Sequence, residues 1–149
     1  MQRPALITCA LLCAAAAACA DTLYVATNSA SDGPGTAWSN AFHEIQDAVD
    51  AAASNDTVLV TNGVYDTGGV VLHGQGFTNR VVINKNITVT SVNGATNTSI
   101  LGASDGGNGP AAARCVYISD GLLTGFSIAN GHTQTTGDWG NYQRGGGGY

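Results

Sequence analysis

Three short apolar strands recur at an even spacing, and nothing else in the chain restricts its folding as tightly. Val58-Leu59-Val60, Ile87-Thr88-Val89 and Val116-Tyr117-Ile118 begin 29 residues apart both times. Each is followed by a second apolar triplet, Val70-Val71-Leu72, Ser99-Ile100-Leu101 and Phe126-Ser127-Ile128, at offsets of 12, 12 and 10 residues. Two strands per period, joined by Gly/Asn/Asp-rich turns, predict a solenoid. The period is too short to hold a crossover helix beside its strands. Inward side chains are then buried only by stacking one coil on the next, which predicts an all-β parallel β-helix. In each triplet the first and third residues share a face. Val58, Val60, Ile87, Val89, Val116 and Ile118 are therefore expected inward, and Leu59, Thr88 and Tyr117 outward.

The segments around these strands complete the plan. Residues 1–20 have the form of a secretory signal: Arg3 as the positive end, Ala5 to Ala18 as a small apolar stretch, and Ala18-Cys19-Ala20 as a small-x-small cleavage site that leaves Asp21 first. The alternative is a lipoprotein signal acylated at Cys19, but Ala16-Ala17-Ala18 lacks the large aliphatic residue expected three before the cysteine. Residues 21–56 form an N-terminal cap. It contains a strand at Leu23-Tyr24-Val25, a turn at Ser31–Thr36, and one helix over about 40–53 with Ser39 or Asn40 as N-cap. Phe42, Ile45, Val49 and Ala52 line one stripe of that helix, with Ala48 beside it, while Glu44, Gln46, Asp47 and Asp50 fall off it. Such a helix covers the open end of a stack, and Trp38 is expected to pack under it. Residues 57–149 supply the first coils. Asn62-Gly63, Asn93-Gly94 and Asp120-Gly121 are their turns, and Val81-Val82-Ile83 is an extra strand. The closing Arg144–Tyr149 run caps nothing, so the reading expects the solenoid to be incomplete at its C-terminal end.

Composition narrows the partners. The net charge is −5, and only Arg80, Lys85, Arg114 and Arg144 follow the signal as scattered cations. That excludes the basic patch required by nucleic acid and by an anionic membrane surface. Membrane attachment is left to a lipid on Cys19 or to a further C-terminal domain. Three of the four cysteines lie in residues 1–20, so Cys115 alone remains and no disulfide framework exists. It precedes a strand and reads as a small buried apolar residue.

Leu23-Tyr24-Val25, the Ser31–Thr36 turn, Trp38, the Ile45–Ala52 helix, and Asp56–Val60 followed by Gly63-Val64-Tyr65 resemble the N-terminal cap of the pectin-lyase-like superfamily. Ile87–Val89 with Ser91–Gly94, Gly125–Gly131 and Gly145–Tyr149 are similar to its repeat coils, above all those of large secreted bacterial and polymorphic-outer-membrane-type surface proteins. The likeness extends over residues 23–149. It implies a right-handed parallel β-helix, secretion or display on a bacterial outer surface, and a choice among lyases, hydrolases and adhesins.

The residues do not supply an enzyme's equipment. A polyuronate lyase needs clustered carboxylates holding Ca²⁺ beside a Lys or Arg base, and a glycosidase needs two facing carboxylates. The ten acidic residues are dispersed. Asp105 and Asn108, and likewise Asp32, fit turn chemistry better than a Ca²⁺ site. His43, His73 and His132 share no metal-ligand spacing, and the glycine run Gly145–Gly148 lacks the Lys-Ser/Thr of a phosphate loop. Trp139, Tyr142 and Tyr149 read as the wall of a further coil before they read as sugar-stacking aromatics. The sequons at Asn55, Asn86 and Asn97 arise readily in an Asn/Thr-rich chain. No catalytic, cofactor or metal residue is assigned, and Ca²⁺ is left to a longer protein. The expectation is a secreted or cell-surface scaffold for adhesion or for contact with polysaccharide or surface glycan. The alternative is the leading part of a polysaccharide lyase or glycoside hydrolase whose site lies beyond residue 149.

Overall fold

The computed structural model describes residues 19–72, 78–106 and 109–133. Its strands are β1 (Thr22–Val25), β2 (Thr57–Val60), β3 (Gly63–Tyr65), β4 (Val70–Val71), β5 (Thr78–Ser91), β6 (Thr98–Leu101), β7 (Ala113–Thr124) and β8 (Ser127–Ala129). A 3-10 turn, Trp38–Asn40, and the helix α1, Ile45–Ala51, lie between β1 and β2. The larger sheet follows the order β1-β2-β5-β4, with β7 also paired to β5. Its β1-β2, β2-β5 and β5-β7 pairings are parallel, and β4 is antiparallel to β5. A second sheet, β3-β6-β8, is parallel throughout.

The expected all-β right-handed parallel β-helix is therefore corrected. The arrangement is of α/β type: two sheets of parallel strands, one of them made mixed by β4, with a helix packed on β1, β2 and β5. The cause lies in β5. Val81-Val82-Ile83 and Ile87-Thr88-Val89 belong to one 14-residue strand, bent at irregularities after Ile83 and Asn84. Val116-Tyr117-Ile118 consequently lies beside Val81-Val82-Ile83, and it is Leu122-Leu123-Thr124 that lies beside Thr88-Val89-Thr90. The spacing of 29 residues is not the register. Thr57 pairs with Thr88, and the flanking amide pairs Asn55–Asn86 and Asn62–Asn93 are each 31 residues apart. Val70-Val71, expected as the partner of Ser99–Leu101, turns back on β5, and Gly63–Tyr65 takes its place beside β6. Asp120-Gly121, expected as a turn, sits inside β7, where Gly121 has φ +93° and a Cβ would lie 2.6 Å from the Lys85 carbonyl oxygen. Only glycine lets the two backbones approach so closely at that bend.

The core follows the alternation where register permits. Val58, Val60 and Val89 are fully buried and Ile87 nearly so, all packed with Val25, Ile83 and Ile100. Val116 is half-buried against the same cluster, but Ile118 is 46 % exposed. The helix begins later than the 40–53 expected, because Phe42 is already engaged in the sheet. Its N–H donates to the Tyr24 carbonyl (2.9 Å), and its own carbonyl accepts from Ala26 (2.8 Å). Glu44, not Ser39 or Asn40, is the N-cap, with no side-chain hydrogen bond to the helix. The predicted stripe of Ile45, Ala48, Val49 and Ala52 is buried. Gln46, placed off that stripe, is buried as well: its Oε1 accepts from the Val82 N–H (2.7 Å) and its Nε2 donates to Asp50 (2.7 Å).

Candidate functional site

The loop between β1 and α1 builds the surface feature that stands out. β1 pairs with β2 on one side only. Its other edge is closed by this loop, with Tyr24 N–H donating to the Gly35 carbonyl (2.8 Å) and Phe42 closing the next step. Gly35 has φ +73° and lies against Phe42, whose ring would be 2.5 Å from any Cβ there. An edge strand covered this way offers no free ladder for association. The loop then folds on itself. Gly35 N–H donates to the Asn40 carbonyl (2.8 Å), Asn40 Oδ1 accepts from Ala37 N–H (2.8 Å), and Asn40 Nδ2 donates to Thr36 Oγ1 (3.0 Å).

This clasp presents Trp38. The indole is not under the helix, as the sequence suggested, but 42 % exposed. It meets Tyr24 edge to face, ring centroids 4.6 Å apart at 66°. Tyr24 is the outward member of β1, between the inward Leu23 and Val25. Beside this aromatic ledge an open cleft of 470 Å³ is lined by Asp21, Leu23, Pro34, Thr36, Ala53 and Asp56. Asp56 is 5 % exposed, and its carboxylate accepts from the Asp21 N–H (2.8 Å) and the Ala53 N–H (2.7 Å). Its carbonyl accepts from Thr88, so one residue ties the start of β1, the end of α1 and β5 together. Carboxylates also gather between the loop and α1. Burial first, then the neighbouring carboxylates of Asp32 and Asp50, hold the Asp47 carboxyl above its ordinary range. An anionic ligand would meet the same repulsion.

The residues weighed from sequence are scattered. Asp32 Oδ1 accepts from the His43 N–H (3.0 Å), and its other oxygen lies 4.0 Å from the His43 ring. Asp105 holds its own turn, its carboxylate accepting from Ala111 N–H (2.9 Å). His132 donates its backbone N–H to Ala113. Cys115 is buried, its thiol donating to the Ala129 carbonyl (3.0 Å) and pushed up in pKa by that burial. Among the described residues no group of three or more His, Cys, Asp or Glu is arranged to hold a metal. Of the sequons, Asn55 and Asn86 bond to each other and Asn97 donates to the Asn93 carbonyl. His73, Asn108, Trp139, Tyr142, Arg144–Tyr149 and residues 1–18 of the expected signal lie outside the described residues. The sequence marked Asp21 only as the residue that cleavage leaves first and Asp56 only as the entry to a strand, and assigned neither to a site. The available signal was an Asp three residues after Ala53, placed to accept from a freed N–H at a helix end.

No family model matches the chain, and neither a curated protein nor a solved structure matches it.

Proposed function

We propose that the chain is a secreted or cell-surface scaffold that holds neutral polysaccharide or surface glycan on the Trp38 ledge. The observation that carries this is an exposed indole braced by Tyr24 and by a hydrogen-bonded clasp. An aromatic face fixed before binding loses little conformational entropy on contact with an apolar sugar face. The net charge of −5 favours uncharged glycans over polyuronates and sulfated chains. Binding without turnover is favoured because, of the two aspartates that line the cleft, Asp56 has its carboxylate engaged by two backbone amides, which leaves Asp21 without a second free carboxylate to work with. Export rests on the signal-like form of residues 1–20.

Affinity electrophoresis against soluble neutral and acidic polysaccharides tests the proposal. Retardation by a neutral polymer, lost about tenfold or more in Trp38→Ala with the melting temperature held, is the expected result. Equal retardation of the variant, or retardation by acidic polymers alone, would overturn it.

A further inference from the structure

We propose that cleavage after Ala20 creates a binding group, and that the new Asp21 ammonium docks onto the buried Asp56 carboxylate and locks the N-terminal edge of the large sheet. This rests on the export reading above. The geometry is already in place. The Asp21 nitrogen lies 2.8 Å from Asp56 Oδ1, and the Asp21 carbonyl accepts from Thr57 N–H at 2.9 Å, so the residue is held at both ends. Cys19, Ala20, Asp21 and Thr22 are all exposed, leaving the scissile bond open to a peptidase. Before cleavage the nitrogen is a neutral amide, and among the described residues no cationic side chain pairs with Asp56. A carboxyl group in a residue 5 % exposed is then hydrogen-bonded to backbone amides and without a cationic partner. Such a group is costly to keep, and a paired cation relieves the cost.

The step balances simply. An endopeptidase of the export machinery adds water across the Ala20–Asp21 amide; Ala20 leaves as a carboxylate with residues 1–20, and the freed amine takes up a proton. The nitrogen changes from one donor to a charged group with three, bonded to the same oxygen. The elements packed around it contribute Asp21's own side chain, Asp47 and Asp50 with Glu44 on the helix, and Arg80 and Lys85 on β5. Lys85 does not compete, since its Nζ is bound to the Ala52 and Asp50 carbonyls (2.8 and 3.1 Å). Docking favours the protonated amine, so its pKa is raised above the ordinary value of about 7.7–8.0. The stabilisation is therefore full below that value and is lost as pH rises through the raised one.

The test uses the full chain with residues 15–20 replaced by the recognition sequence of an endoprotease that cuts just before Asp21. The uncut and cut forms are melted side by side. Cutting is expected to raise Tm by about 4 °C or more at pH 7, with the gain gone at high pH. The Asp21 amine, followed by NMR after reductive methylation, is expected to be about tenfold weaker as an acid than an ordinary α-ammonium. Asp56→Asn should abolish both effects. Should that variant not fold, a chain cut one residue earlier, which retains Ala20 and an intact Asp56, should also show neither. A wild-type Tm unchanged or lowered by cutting, or the same gain with Ala20 retained, would overturn the docking. Processing is read separately, from the mass of the native chain exported by a bacterial host. A start at Asp21 supports it, and a start at a diacylglyceryl-modified Cys19 overturns it without touching the docking result.

Discussion

Gln46 shows how one side chain joins helix to sheet. Its carbonyl accepts from the Val82 N–H of β5, and its amide reaches Asp50 one turn on. Gln46→Leu fills the same space and orphans a buried N–H. We expect a loss of about 1–3 kcal/mol in urea unfolding, with Gln46→Glu less harmful at low pH than at neutral pH. Tyr65 offers a second readout at this scale. It is 5 % exposed, its hydroxyl donates to the Thr61 carbonyl (3.0 Å), and burial pushes its pKa up to about 12, offset slightly by the Thr27 backbone. The folded pKa exceeds the free value of 10.0. The stability tied to the protonated hydroxyl is therefore complete below pH 10 and declines between 10 and about 12. Tyr65→Phe should flatten the stability profile across that window, and an unchanged slope would show the ring is solvated.

Among the elements, β5 governs the fold. The inward alternation of Val58, Val60, Ile87 and Val89 and the amphipathic stripe of α1 were legible, because alternation and 3.6-residue periodicity are local, whereas the spacing of 29 set Val58 against Ile87 and the structure pairs it with Val89. The fusion of two triplets into one bent strand was not legible. Nothing in Asn84-Lys85-Asn86 forbids extended backbone, and a turn-like composition is overridden once both neighbours pair. The same blindness applied to the helix start, where Phe42 is drawn into the edge of β1, and to Trp38, freed when the helix shortened. The corrected register makes a sharp prediction. Ile83 and Ile118 lie opposite each other on adjacent strands, yet one is fully buried and the other 46 % exposed. Ile83→Ala should cost about 2–5 kcal/mol and Ile118→Ala less than about 1 kcal/mol. The sequence spacing alone treats position 118 as core, so comparable losses would restore the even repeat.

At the scale of the whole molecule, the cap loop does two things through one set of residues. It closes the edge of β1, and it displays an indole beside a cleft whose floor is pinned by Asp56. None of this was visible as a motif. Tyr24 and Trp38 are separated by a Gly/Pro turn and meet only because Gly35 and Phe42 bond to β1. The ledge is the central claim, and tryptophan fluorescence reads it directly. In a Trp139→Phe background Trp38 is the sole indole. Titration with a neutral polysaccharide that retards the protein should shift and enhance its emission saturably, protect it from iodide quenching, and leave acidic polymers without effect. An emission spectrum and quenching constant unmoved while that polymer binds would contradict the assignment of the ledge as the contact.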